Sequence, residues 1–413
     1  MSSICLYFNI HQPVRLRKFG FFDMGKSDYY YDDYSNEIIL KQVVENCYLP
    51  TNKMLLDLIN IHQGRFKVAF SISGTAIDQF KIYAPQVIES FRELADTGCV
   101  EFMAETYCHS LSFLKNEVEF KRQVELHATT IETIFGKRPT IFANTELIYS
   151  DQIGALVANM GFKAMLAEGP SHILKWRSPN YLYRNAIDSE LIVLLKNNQL
   201  SDDIASRFSN SNWSGWPLTV PKYVSWLNKI SKKEKIVNLF MNYEIFGEHQ
   251  KSRTGIFEFL NSLPAEVYRK TDFEFLTPSE IVAKYQPVST LNVNYPISLT
   301  DQAVDLTPWL GNELQQEAFE KLYNLSDLVH QCSDPDILKD WQYLQTSDHF
   351  YYMSTKSFPE GEVHTCFNPY NGPYEAFMNF MNVLNDFSIR LNQKVELKYS
   401  DQFNMKEIEL EVL

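Results

Sequence analysis

Four short segments of this chain place carboxylates, histidines and amides directly behind apolar runs. They are His11-Gln12-Pro13, Glu105-Thr106-Tyr107-Cys108-His109, Thr145-Glu146 and Asn242-Tyr243-Glu244-Ile245-Phe246-Gly247-Glu248-His249. If the apolar runs are parallel strands, these segments sit at strand C-termini, where a parallel α/β barrel assembles its active site. Purely structural end caps would favour Asp, Ser and Gly over repeated Glu and His. Carboxylates mixed with His, Gln and Trp suit cleavage of a glycosidic bond with retention. One carboxylate attacks the anomeric carbon while a second acid, about 5–5.5 Å away, protonates the leaving oxygen. Trp213, Trp216 and Trp226, ahead of the last apolar run, would either offer flat faces to sugar rings or serve only core and loop packing.

The elements that must position these groups are legible as apolar runs at 4–10, 66–73, 99–104, 140–144, 162–166, 191–195 and 236–242. Their β-branched and aromatic content, nearly unbroken by polar residues, suits a parallel sheet covered on both faces. Amphipathic stretches lie between them, such as 75–96, followed by Gly98 as a stop signal, and 150–160, followed by Gly161. Seven strands alternating with helices predict an α/β protein over residues 1–290 and are compatible with a parallel barrel. Beyond it the texture changes. Asn292-Val293-Asn294-Tyr295-Pro296-Ile297 reads as an extended linker, and 310–331, 336–345 and 374–393 carry helical periodicity. The segments 395–399 and 408–412 alternate like a small hairpin. Residues 291–413 are therefore expected to form a C-terminal helical region with a short terminal hairpin.

Composition removes several classes of function. The 413 residues carry a net charge of −13, and the densest cationic run is only Lys232-Lys233-Glu234-Lys235. A phosphate-tracking surface needs clustered Lys and Arg, so nucleic acid is not an expected partner. Apolar runs such as Ile192-Val193-Leu194-Leu195 fall far short of the roughly 20 residues a membrane helix needs. The N-terminus lacks a basic segment ahead of its apolar run, so no membrane association and a cytoplasmic location are expected. Six cysteines stand singly with no CxxC pair, which predicts reduced thiols and no thiolate metal site. His11, His109 and His249 lie on different strand ends, and no local ligand spacing supports a metal set, so neither metal nor cofactor is expected. Oligomeric state has no legible signature.

The motifs also carry a resemblance. His11-Gln12-Pro13, Glu101-Phe102-Met103-Ala104-Glu105-Thr106-Tyr107 and Asn144-Thr145-Glu146-Leu147-Ile148-Tyr149 resemble the first three motifs of glycoside hydrolase family 57. Asn242-Tyr243-Glu244-Ile245-Phe246-Gly247-Glu248-His249-Gln250 and Trp309-Leu310-Gly311-Asn312-Glu313 resemble the fourth and fifth, in the branch of α-amylases and α-amylase-like proteins. The similarity continues through Leu344-Gln345-Thr346-Ser347-Asp348-His349-Phe350. It implies a distorted seven-stranded (β/α)7 barrel followed by a helical region, and retaining α-amylase or 4-α-glucanotransferase chemistry on α-1,4-glucans or maltooligosaccharides. It makes Glu146 the nucleophile and His11 a contact to sugar hydroxyls. Glu105, His109, Glu244, His249 and Trp216 would bind or support the substrate, and Trp309 would reach back over the cleft.

One position departs from the pattern. Active members of the branch hold an Asp, general acid and then general base, where this chain has Asn242. An amide neither protonates a leaving oxygen nor deprotonates water at neutral pH, and general acid–base catalysis contributes about 10²–10⁴-fold. Ala143 stands where the family usually has Arg, a cation that would help to keep the nucleophile ionised. Lys251 stands where an aromatic residue is frequent. Glu244 lies two residues beyond Asn242, and on an extended strand would share its face, about 6–7 Å away. The expectations are thus a weak or unusual α-glucan enzyme, or a degenerate α-glucan-binding or regulatory protein on the same scaffold.

Overall fold

The computed structural model describes residues 1–298, 305–356 and 367–411, with side chains described to residue 396. Cys366 lies outside the described residues. The chain divides into two compact units. The first comprises Met1–Gln12, Glu37–His109 and Lys121–Leu306; the second comprises Pro13–Asn36, Ser110–Phe120 and Thr307–Leu413. Where the sequence suggested one boundary near residue 290, the second unit thus also takes two segments from the N-terminal third.

The first unit holds ten strands among the described residues: β1 Ser2–Ile10, β2 Val68–Ile72, β3 Val100–Phe102, β4 Ile141–Ala143, β5 Ala164–Ala167, β6 Leu182–Arg184, β7 Ile192–Leu195, β8 Ile236–Asn242, β9 Phe273–Phe275 and β10 Ser289–Thr290. They form two five-stranded sheets. One runs β3-β2-β1-β8, with β9 also on β1, and the other runs β10-β6-β7-β5-β4. The first is parallel throughout, with Tyr7 beside Ala69 and Asn9 beside both Ser71 and Asn242. β9 pairs with Ser2–Ile4, the stretch of β1 that lies ahead of its pairing with β2. A single parallel bridge, Ala104 to Phe142, links the two sheets behind β3.

All seven expected strands are present and the protein is α/β. The expected distorted seven-stranded barrel is not resolved: the strands are divided between two sheets, and β6 runs antiparallel to β7. The additional strands β6, β9 and β10 are two or three residues long and, unlike the equally short β3 and β4, lie in no longer apolar run.

The unbroken apolarity of the strands has a direct cause. Alternate residues of both sheets, among them Cys5, Tyr7, Ala69, Ile141, Ala143, Ala164, Leu166, Leu194 and Phe240, meet in one buried cluster. The intervening residues are buried as well, as Phe8 is against Phe70 and Tyr243. The stretch 75–96 forms two helices, Gly74–Tyr83 and Pro85–Asp96, because proline has no N–H to continue the first. The expected linker 292–297 is instead part of this unit. It is extended, but Leu291, Val293 and Ile297 are buried, Ile297 bridges to Tyr149, and the Val293 N–H donates to Asp151 at 2.7 Å.

The second unit is helical. Its helices include Glu313–Tyr323, capped by Asn312, then Ser326–Gln331, Pro335–Leu344, Ser347–Tyr351 and Pro373–Glu411. The last helix corrects the expected terminal hairpin. Ala376, Phe380, Val383, Leu384, Phe387, Leu391 and Val395 form one buried stripe at helical spacing. The short alternation at 395–399 lies on the continuation of that helix, and no Gly or Pro between it and 408 offers a turn. Of the second alternating stretch, 408–411 is helical and 412 lies outside the described residues. Among the described residues no helix is long and apolar enough to cross a membrane.

Candidate active site

The C-terminal ends of β3 and β4 bring three charged side chains into a row. His109 is buried; its Nδ1 donates to Glu105 Oε2 at 2.9 Å and its Nε2 donates to Glu146 Oε1 at 3.2 Å. A neutral imidazole would turn one lone pair toward a carboxylate, so this geometry calls for protons on both nitrogens. Burial opposes the charge, but the bonds and charges of Glu105 and Glu146 outweigh it and raise the His109 pKa to about 10. His11, at the end of β1, stacks on His109 with ring centroids 4.1 Å apart, and its Nδ1 lies 2.8 Å from Ser73 Oγ.

A second histidine fixes the base of this row. The Glu105 backbone N–H donates to His127 Nδ1 at 3.2 Å, and His127 Nε2 donates to the Ile72 carbonyl at 2.8 Å. Burial pulls the His127 pKa down, in keeping with the neutral tautomer those two bonds require. Thr106 and Thr145 hydroxyls meet at 2.9 Å and tie the two strand ends together.

Glu146 is held in an unusual backbone. It and Leu147 lie in the left-handed region with φ of 53° and 51°, as does His109 at 53°. Residues other than Gly occupy this region at a cost of about 1–3 kcal/mol each, typically where surrounding structure over-determines a functional turn. Here the turn is held by Leu147 N–H to Asn144 O at 3.0 Å and by Asn144 Nδ2 to Ile148 O at 2.9 Å.

Opposite lies the end of β8. Glu146 and Asn242 line one small pocket of about 20 Å³, together with Tyr7, Asn9, Asn144, Leu147, Phe240 and Met241. Burial, and the nearby carboxylates of Glu105 and Glu146, push the Tyr7 phenol well above its ordinary pKa, while its hydroxyl lies 2.6 Å from Ser71 Oγ. Asn242 is half-buried, and its side-chain amide has no hydrogen-bond partner among the described residues. Glu244 does not line the pocket. The strand stops at Asn242 and a tight turn over Tyr243–Ile245 carries Glu244 to Tyr48, whose hydroxyl donates to its Oε1 while receiving the Gln12 amide at 3.2 Å. Burial raises the Glu244 pKa to about 7 against the effect of the Tyr48 bond. Glu248 is likewise engaged elsewhere, accepting from Gln42, Asn46 and Lys251.

The remaining expected residues do not line this pocket. His249 is half-buried in the turn after β8, with its N–H on the Glu244 carbonyl at 2.9 Å. Trp216 is 48% exposed, in the irregular segment ahead of the helix Val220–Leu227. Trp309 belongs to the second unit, is fully buried against Tyr351 and presents no free face. Both His109 nitrogens are engaged by carboxylates, so His11, His109 and His249 do not form a ligand set, and no His, Cys, Asp and Glu group suited to a metal ion occurs among the described residues.

Sequence reasoning missed Tyr7 and Asn9, whose positions inside a strand carried no motif. It also missed the buried Lys196 beyond β7, which pairs with Glu168 beyond β5 at 3.3 Å and with Asp202 at 3.1 Å. Burial raises Glu168 to about 7 despite the lysine. A Glu directly behind an apolar run was a signal available in the sequence.

Comparison with known proteins agrees with this architecture. Residues 5–294 match the family described as Glycosyl hydrolase family 57. A protein of Methanocaldococcus jannaschii named "Putative alpha-amylase" is 37% identical over 416 residues, which covers 98% of this chain and 88% of that protein. The crystal structure of a GH57 branching enzyme from Thermococcus kodakaraensis, in complex with glucose, is similar with a TM-score of 0.69 at 14% identity, over 94% of this chain and 90% of that one. The 4-alpha-glucanotransferase from Thermococcus litoralis gives 0.62 at 13% identity, over 84% of this chain, and the match spans 56% of that longer chain. At such identities the two structures speak for the fold alone.

Proposed function

The chain belongs to glycosyl hydrolase family 57, and from that premise we propose that it is an α-glucan-active member with Glu146 as a retaining nucleophile and an amide, Asn242, at the acid/base position. The observation that carries this reading is that Glu146 and Asn242 line one pocket, with Glu146 bonded to a His109 that both carboxylates hold protonated. Glu146 would attack the anomeric carbon, and the His109 imidazolium would keep it ionised in a site where Ala143 offers no charge. His11 would bond sugar hydroxyls at the same mouth. The family and the name of the M. jannaschii relative support an α-1,4-glucan or maltooligosaccharide as the bound sugar.

Cleavage of an unactivated glucosidic bond also needs a proton donor at the leaving oxygen. Asn242 supplies none, and Glu244 and Glu248 are held by other partners. Hydrolysis or transfer of ordinary α-glucans is therefore expected to be very slow, while sugar binding persists, because Asn has nearly the size of Asp and still donates a hydrogen bond. Asn242 equally favours a second reading, an α-glucan-binding or regulatory protein on the same scaffold. Product analysis from maltoheptaose with the parent, Asn242→Asp and Glu146→Gln separates them. Products from the parent that vanish in Glu146→Gln mean an enzyme. Silence from the parent with turnover by Asn242→Asp means a binding cleft disarmed by one amide. Silence from all three, without glucan binding, overturns both readings.

A further inference from the structure

Resting on the assignment of Glu146 and Asn242 just made, we propose that this protein transfers glucosyl groups from α-glucosyl donors whose leaving group departs as a stable anion, a reaction that needs no acid. The pocket pairs a braced nucleophile with an uncharged hydrogen-bond donor. Glu146 is oriented by His109 at 3.2 Å, and His109 is itself anchored by Glu105 at 2.9 Å. Across the pocket the Asn242 amide, without a side-chain partner among the described residues, is free to donate to a departing anion. Apart from Glu146 itself, no carboxyl among the described residues lines this pocket, and Glu244 is turned to Tyr48. A glucan's leaving oxygen therefore departs poorly here, whereas fluoride departs without a proton.

The charge on Glu146 depends on the groups around His109. These are Glu105 and Glu146 on its two nitrogens, His11 stacked on its face, and Tyr7 and His127 beside the carboxylates. With the imidazolium retained to about pH 10 and the Tyr7 phenol neutral, Glu146 keeps an opposite charge next to it through the neutral range.

The two steps balance as follows. A Glu146 carboxylate oxygen forms a bond to C1 of α-maltosyl fluoride, the C1–F bond breaks, and fluoride leaves with the electron pair while no proton moves. The β-maltosyl ester then waits, because water needs a base to accept its proton and Asn242 cannot. Azide, an anion that needs no base, attacks C1 from the face fluoride vacated. The C1–O bond to Glu146 breaks, the carboxylate is regenerated and α-maltosyl azide departs.

The test uses the full chain with α-maltosyl fluoride as donor and azide as acceptor. Fluoride release by the parent is expected at about 10²-fold or more above that of Glu146→Gln, a loss of the order a missing catalytic group produces. Intact-protein mass spectrometry should find an added maltosyl group, peptide mapping should place it on Glu146, and azide should convert it to α-maltosyl azide. The mapping needs no variant, so it stands even if Glu146→Gln folds poorly. Fluoride release no faster than that of Glu146→Gln, with no adduct on Glu146, overturns the proposal. Asn242→Asp on maltoheptaose distinguishes the two failures. Turnover there, with an inert parent on the fluoride, sinks only the acid-independent reaction. No turnover and no glucan binding sink the functional reading beneath it.

Discussion

Across one pocket, Glu146 and Asn242 stand in unlike surroundings. The Glu146 side is a continuous charged row, with Glu105, His109 and Glu146 bonded in sequence, His11 stacked alongside and left-handed backbone at two of the three. On the Asn242 side, the amide has no side-chain partner among the described residues, and the two nearby carboxylates, Glu244 and Glu248, are bonded to Tyr48 and to Lys251. One side has the bracing that a buried charge requires. The other holds a neutral group that requires none. The contrast teaches that the charged row on one side of a pocket is braced by its own contacts and needs no ionisable partner across from it.

The largest effect should come from restoring symmetry. Asn242→Asp is expected to raise cleavage of maltoheptaose by roughly 10²–10⁴-fold, read as product formation by chromatography. Adding Glu146→Gln should return it to background. An inert Asn242→Asp protein that still binds glucan would mean that the two sides differ by more than the amide.

Removing the brace should come next. In the Asn242→Asp background, His109→Gln is expected to lower kcat about 10²-fold, the order of cost of misplacing a reacting group. It should also move the acidic limb of the pH–rate profile upward, since Glu146 loses the cation that favours its ionised form. A drop in rate with an unmoved acidic limb would reduce His109 to a packing residue.

The same brace predicts a pH dependence of stability. The folded pKa of His109 is raised from 6.5 to about 10, so its ion pairs contribute stability fully below pH 6.5 and lose it as pH rises through about 10. Thermal unfolding of the parent should therefore fall by several degrees across that window, and this part of the fall should be missing from His109→Gln. Parallel curves would remove the charge from the row.

The smallest effect is expected at Glu244. Its pKa, raised by burial from 4.5 to about 7, means that its contribution is complete below pH 4.5 and is lost as pH rises through about 7. Glu244→Gln keeps an acceptor for Tyr48, so below pH 4.5 stability should change by less than about 1 kcal/mol, and the pH dependence between 4.5 and 7 should flatten. A large loss of Asn242→Asp activity in this variant would draw Glu244 into the chemistry and erase the contrast between the two sides.

Local pattern decided the main strands. The apolar run at 236–242 coincides with β8, and the one at 4–10 lies within β1, because a strand buried on both faces leaves an unbroken apolar signature in its own residues. The short strands β6, β9 and β10 lie in no long apolar run and left none, and the alternation at 395–399 was too short to oppose a helix whose buried stripe begins nineteen residues earlier. Residue identity likewise determined what each group can do: position 242 carries an amide and cannot be an acid in any fold. Tertiary structure alone decided what each group is. His109 becomes an imidazolium because Glu105 and Glu146, 4 and 37 residues away, converge on its two nitrogens inside a buried site. Glu244 becomes a sequestered carboxyl because the chain turns at Asn242 and Tyr48 meets it, 196 residues away in sequence. Ionisation and reach depend on neighbours and on exclusion of water, and both arise from contacts that chain order does not contain.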